Sequence, residues 1–272
     1  IIRGEIENFG GGIFIKSKKK SILKNVSFQN LAGPDIYNKL DNGFILTKKD
    51  INTPNSFNYE FIKDLNYKND LSNLIIYGAV NFYKSKVEIS NVKFLNISSE
   101  DSINIFKSEF SLSNSKFENV GFDAVDVDFS HGKISNLQFK NVLNDALDFS
   151  GSKVNIEDIK FINVGDKVIS SGENSDIKLD NLFGENSFIG IANKDGSKLL
   201  AKNIDFNFIQ IPLASYIKKE IYDGGEMRVL NYKSTNSNYK YLLTDNSKLI
   251  IENINKKSNI NRNNILKIIY NN

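Results

Sequence analysis

An internal repeat constrains this chain more than any other feature of its sequence. The segment Ser21-Ile-Leu-Lys-Asn-Val-Ser-Phe28 returns as Val87-Glu-Ile-Ser-Asn-Val-Lys-Phe94, Ser111-Leu-Ser-Asn-Ser-Lys-Phe117, Lys133-Ile-Ser-Asn-Leu-Gln-Phe139 and Asn155-Ile-Glu-Asp-Ile-Lys-Phe161, and Asn203-Ile-Asp-Phe206 closes a further copy. The closing phenylalanines lie about 22 residues apart, or a whole multiple of that. Apolar and polar residues alternate within each copy, as at Val87 and Ile89, which is the period of a strand. A second short strand follows at fixed offset: Val80-Asn-Phe82, Ile103-Asn-Ile105, Val125-Asp-Val127, Leu147-Asp-Phe149 and Ile169-Ser-Ser171. Several short strands per unit with no helical stretch between them predict an all-β fold, a parallel β-helix (solenoid) with coils of about 22 residues. The Leu/Asn consensus of leucine-rich repeats is missing.

After the repeated Phe come an Asn and an aliphatic residue, at Asn30-Leu31, Asn96-Ile97, Asn119-Val120, Asn141-Val142 and Asn163-Val164. Stacked one coil apart, roughly 4.8 Å, these amides predict an internal Asn ladder that satisfies a buried turn. Two regions break the period. Residues 32–73 carry Pro34 and Pro54 and predict a loop-rich insertion, and from 208 the repeat loosens into irregular coils or a cap. We therefore expect a single β-helix domain over 1–252, followed by a polar C-terminal tail, 253–272. A start at Ile1-Ile2-Arg3 predicts that the native N-terminus is missing.

Charge and residue type then narrow the chemistry. With 35 Lys+Arg against 32 Asp+Glu the net charge is +3, which argues against a nucleic-acid partner. There is no Cys and one His, which removes thiolate metal sites, Cys nucleophiles and His-rich zinc sites. No apolar run is long enough for a membrane span. Without Trp, a Trp-based sugar platform is impossible.

The runs Gly78-Ala-Val-Asn-Phe-Tyr-Lys-Ser85, Ser99-Glu-Asp-Ser-Ile-Asn-Ile105, Asn144-Asp-Ala-Leu-Asp-Phe-Ser-Gly-Ser152, Gly165-Asp-Lys-Val-Ile-Ser-Ser-Gly-Glu-Asn-Ser175 and Ser215-Tyr-Ile-Lys-Lys219 resemble bacterial right-handed parallel β-helix proteins of the cell surface. In some of these the repeat is attached to spore-coat-kinase-like, CotH-type modules. The resemblance covers residues 74–252, with Val168 where the pattern has Gly and Glu220 where it has Pro. It implies a right-handed coil and an extracytoplasmic module, secreted or on the cell surface, with adjacent domains of a longer chain as partners. It implies no reaction and no catalytic residues.

Aligning the second strands places Asn81, Asn104, Asp126, Asp148 and Ser170 in one outward-facing column, with Asp128 beside Asp126. Asp101, Asp123 and Asp145 form a parallel column in the preceding turn. Carboxylates one coil apart repel by about 1 kcal/mol in water and by several times more at the protein surface. Relief must come from Lys, from a bound cation or from a raised pKa. The oxygens of Asp123, Asp126, Asp128, Asp145 and Asp148 are the candidate metal ligands, a set that suits Ca²⁺. Asn81, Asn104, Asp126, Asp148 and Tyr83 are the candidate ligand-binding residues, Tyr83 sharing its offset with Phe106 at a strand edge.

Pectate-type lyases combine such an acidic face with Ca²⁺ and a basic residue, which makes Asp126, Asp148, Lys107 and Lys167 the candidate catalytic residues; a lysine could act only with a lowered pKa. Polygalacturonase-like enzymes use Gly-His-Gly, of which Ser130-His131-Gly132 is a partial echo. Lys16, Lys18, Lys19 and Lys20 precede a repeat strand and read as a solvated edge. Two functions follow. One is a noncatalytic scaffold or polysaccharide-binding surface. The other is a polysaccharide lyase or epimerase acting on acidic glycans.

Overall fold

In the computed structural model, residues 2–3, 12–31, 44–46, 74–76 and 78–270 are described. They form a parallel β-solenoid of about eight turns. The register confirms the repeat directly: Phe94 stands opposite Phe28 and Phe117, and Phe139 opposite Phe117 and Phe161. The expected loop at 32–73 lies outside the described residues, except that Phe44–Leu46 pairs antiparallel with Leu74–Ile76.

Each full coil has three faces, seen in the coil that starts at Asp101. Asp101–Phe106 forms the first face, and Glu109–Val120 supplies the second and third, bent at Asn114. The bends are left-handed: Lys107, Asn114 and Asn119 have φ of 49°, 52° and 56°. Asn tolerates this region better than other non-glycine residues, which explains why Asn recurs at a strict period. The same second-face bend is made by Asn25, Asn91, Asn136, Asp158, Asn181, Asn203 and Asn231.

The predicted ladder forms, with one correction to its setting. Asn96 donates to Asn30, Asn119 to Asn96, Asn141 to Asn119, Asn163 to Asn141 and Asn186 to Asn163, at 2.8–3.2 Å. These amides line the outside of the corner, with Asn119 and Asn163 exposed, and not a buried turn. The buried ladder is made of serine. The main-chain N–H groups of Ser85, Ser108, Ser130, Ser152 and Ser175 each donate to the Oγ of the serine one coil on, at 2.8–3.1 Å, ending at Ser197. All six serines are buried. Unpaired polar groups in that position would cost about 1–3 kcal/mol each.

Inside, the Phe column packs ring on ring, with centroids 4.8, 5.0 and 5.1 Å apart from Phe28 through Phe94 and Phe117 to Phe139. The double interval between Phe161 and Phe206 holds a coil with Gly184 at the Phe position. A Cβ there would come within 2.6 Å of the Phe161 ring, and the two flanking rings meet edge to face at 5.9 Å.

Within the stretch expected as a polar tail, Arg262–Tyr270 forms a helix, α1, with Asn261 Oδ1 capping the Asn264 N–H at 2.9 Å. Its Ile265 and Ile269 pack with Ile189, Ala192, Ile211, Ala214, Tyr216 and Leu242. Those residues continue the first face beyond the acidic coils. The face is thus carboxylate-rich where it lies open and apolar where α1 covers it.

Candidate functional site

The first face carries three side-chain columns. In the central one, Asn104 pairs with Asn81 and Asp126, Asp126 with Asp148, and Asp148 with Ser170, as the spacing predicts. The expectation that all five face solvent needs correcting: Asn81 and Ser170 are 3% and 1% exposed. Asn81 is consumed by its own turn, donating to the carbonyls of Gly78 (2.6 Å) and Ile13 (3.2 Å) and accepting the Gly78 N–H. Ser170 is covered because Lys194 Nζ donates to its Oγ at 2.6 Å. Asn104 bridges two acids, donating to Asp101 (3.1 Å) and Asp126 (2.9 Å).

In the second column Asp101 stands opposite Asp123. Asp123 Oδ1 accepts from the Asn144 amide at 2.6 Å and from the Asp145 N–H at 2.8 Å. Asp145 is buried and accepts both the main-chain N–H (2.9 Å) and Nζ (3.4 Å) of Lys167. One carboxylate oxygen each from Asp123, Asp145 and Asp148 lie within 4.8 Å of one another. Ligands at 2.3–2.6 Å from a Ca²⁺ ion lie no farther apart than about 5 Å, so this trio fits part of such a sphere. Asp126 and Asp128 stand beside it and do not belong to the trio.

Five acids of this patch are costly to ionise. Burial, reinforced by neighbouring carboxylates, holds Asp101, Asp123 and Asp126 well above the usual carboxylate range. The same burial, with Asp148 next, pushes Asp128 up to about 7. Asp145 rises only to about 6, since Lys167 opposes the cost of burial.

The lysines divide differently from the expectation. Lys167 is almost closed to solvent and ion-paired with Asp145 and Asp166. Burial favours its loss of the proton, yet these carboxylates outweigh it and hold the proton more tightly than in an ordinary lysine. Lys107 is exposed, its ammonium 5.0 Å from the Phe106 ring and 6.0 Å from that of Phe129. The lysine whose pKa falls is Lys218, through burial and then the charges of Lys194 and Lys167. It lies 4.6 Å from the Tyr270 ring, which Lys167 approaches to 5.4 Å. Sequence reasoning missed Lys218 because only α1, folded back onto the face, brings Tyr270 to it.

The third column holds Tyr83 and Phe106, with two further rings against them: Phe14, opposite Asn81 in the central column, and Phe129, one residue past Asp128. Phe14, Tyr83 and Phe106 stack at 6.3 and 5.7 Å, and Phe129 meets Phe106 edge-on at 5.9 Å. Tyr83 is half-buried, with Lys84 5.0 Å from its ring. Phe129 is 51% exposed at φ 47°, a left-handed bend made by Gly151 one coil on. Asp128 follows Phe106 in register, so the rings run directly into the carboxylates. Ser130 belongs to the serine ladder and His131 is an exposed residue between Glu109 and Lys153, so the Ser-His-Gly echo lies apart from these columns. Lys16, Lys18, Lys19 and Lys20 are exposed, and Lys20 pairs with Glu88 across the second face.

The class defined by this architecture is the parallel β-solenoid. Compared with known proteins, the chain matches no family model, no curated protein and no solved structure. Among the described residues no helix is long and apolar enough to cross a membrane.

Proposed function

We propose that this protein is a noncatalytic extracytoplasmic module that binds polysaccharide along the open part of the first face. One observation carries the reading: four rings in successive contact, Phe14, Tyr83, Phe106 and Phe129, lead from coil to coil into a patch of carboxylates. Rings offer apolar faces to a sugar, and carboxylates accept from its hydroxyls. Asp123, Asp145 and Asp148 are the residues that would hold a Ca²⁺ ion, whose remaining coordination sites sugar oxygens could fill. The extracytoplasmic setting rests on the resemblance carried by the repeat segments.

The lyase or epimerase reading is less well supported. It needs a lysine that gives up its proton readily, whereas Lys167 is locked between two carboxylates and Lys107 is drawn to two rings. Lys218 is the group that could still serve it.

Retention of the purified protein on a panel of neutral and acidic polysaccharide gels tests the proposal. Binding should occur to at least one polymer and fall about fivefold in Phe129→Ala, consistent with one lost aromatic contact of roughly 1 kcal/mol. No retention on any gel, or full retention by Phe129→Ala/Tyr83→Ala, would contradict it. Unsaturated product formed from an acidic polysaccharide and lost in Lys218→Ala would replace it with the lyase reading.

A further inference from the structure

A cleft lies at the far end of the solenoid, away from the acidic columns. In the two preceding coils the strands Asp176–Lys194 and Lys198–Tyr216 run unbroken from the second face into the first. The next strand, Glu226–Thr235, stops early, and the chain rejoins the first face only at Leu242–Leu243, which pairs with Ala214 and Ser215. The excursion between them leaves a cleft of about 480 Å³ over Pro212 and Ile251. That is the size range of small-molecule sites.

Its walls combine three rings with hydrogen-bonding and cationic groups: Tyr232, Tyr239 and Tyr241, then Ser234, Asn236 and Ser237, then Lys240 and Lys256. The ring of Tyr232 is fixed against the core edge-on to Phe206, with centroids 6.5 Å apart. Tyr241 is anchored by its hydroxyl, which donates to the Lys257 carbonyl at 3.2 Å. Ser234 and Ser237 share a hydrogen bond of 2.8 Å, and Asn236 donates to Asn207 at 2.9 Å, so its side-chain oxygen is left to accept. No Asp or Glu lines the cleft. Glu252, which touches a lining residue, accepts from the main-chain N–H of Tyr232. Neither Lys240 nor Lys256 has a carboxylate partner among the described residues.

We infer that this cleft is a second binding site, for a pyranose that carries an anionic group. Tyrosine rings supply the flat apolar wall for the sugar, the serine and asparagine groups meet its hydroxyls, and the two lysines meet its charge. The charge balance here is the reverse of that on the first face, so the two sites would select different parts of a polymer or different glycans.

The test is calorimetric titration with three probes: trigalacturonate, a sulfated disaccharide and neutral maltotriose. The expected result is binding of an anionic probe, weakened by added salt and reduced about tenfold or more in Tyr239→Ala and in Lys240→Gln/Lys256→Gln. Ile22→Ala, an exposed side chain that belongs to neither site, should leave this binding unchanged. Carboxylate and sulfate are distinguished by which of the two acidic probes binds. Absence of binding by both acidic probes, equal binding of maltotriose, or unchanged affinity in both cleft variants would overturn the inference. Tyr239 is partly exposed, and the lysine pair is tested independently of it, so a folding defect in one variant does not decide the outcome.

Discussion

At the scale of single residues, a few positions bear most of the constraint. Gly184 is one, because its flanking coils place Phe161 and Phe206 in the same column. Gly184→Ala would press a methyl group against the Phe161 ring and its carbonyl oxygen, 2.2 Å away. We expect a loss of about 1–3 kcal/mol, the usual cost of overpacking, read as a lower midpoint in chemical denaturation. Phe117→Ala should cost more, about 3–5 kcal/mol, since it opens a cavity between two stacked rings. Lys167 differs in kind. Removing it strands Asp145 and Asp166 without their cation, so Lys167→Ala should destabilise by about 3–5 kcal/mol, whereas Lys107→Ala, exposed at a bend, should remain within about 1 kcal/mol of the parent.

At the scale of the element, the acidic strands set how stability depends on pH. Asp128 and Asp145 are raised to about 7 and 6, so the folded state holds protons that the unfolded chain releases near pH 4. Their contribution is therefore fully present below about pH 4 and is lost as pH rises through 6 to 7. The unfolding midpoint of the metal-free protein should fall between pH 5 and pH 8, and Asp128→Asn should flatten that fall. A midpoint that rises over the same interval would show that these carboxylates are better satisfied than the geometry indicates.

How far the elements were legible in the sequence follows from the same physics. The Phe column and the Asn corners announce themselves, because one residue type recurs wherever a coil needs a ring in the core or a left-handed bend. The Asp columns could be aligned because strand residues stack in fixed register. The serine ladder was invisible as a pattern: serine is common, and its role depends on an N–H one coil away. The covering of Ser170 by Lys194 and the meeting of Lys218 with Tyr270 depend on contacts 24 and 52 positions apart, which no local period encodes. The tyrosine cleft exists because a strand stops short, and a broken repeat reads only as loss of signal.

At the scale of the whole molecule, one sheet face is divided between two uses. Its apolar end is covered by α1, pinned by the hydrogen bond of 2.6 Å between the hydroxyls of Tyr216 and Tyr270 and by Arg262, whose guanidinium donates to the carbonyls of Ile217 and Lys218. Ending the chain before Arg262 would expose Ile189, Ile211 and Leu242 together. Such a truncation should self-associate in sedimentation experiments and bind a hydrophobic dye, while the full chain should not. The acidic end is not covered by α1, and five carboxylates are held there at a cost that packing alone does not require.

That cost marks the acidic part of the face as a place for a ligand. The most direct test is the thermal unfolding midpoint at pH 8 with and without millimolar Ca²⁺, for the parent and for Asp123→Asn/Asp148→Asn. A Ca²⁺-dependent rise is expected in the parent and not in the double variant, since a ligand that binds the folded state raises its stability by mass action. A midpoint unmoved by Ca²⁺, with a double variant more stable than the parent in either buffer, would show the columns to be a repelling surface with no cation to hold.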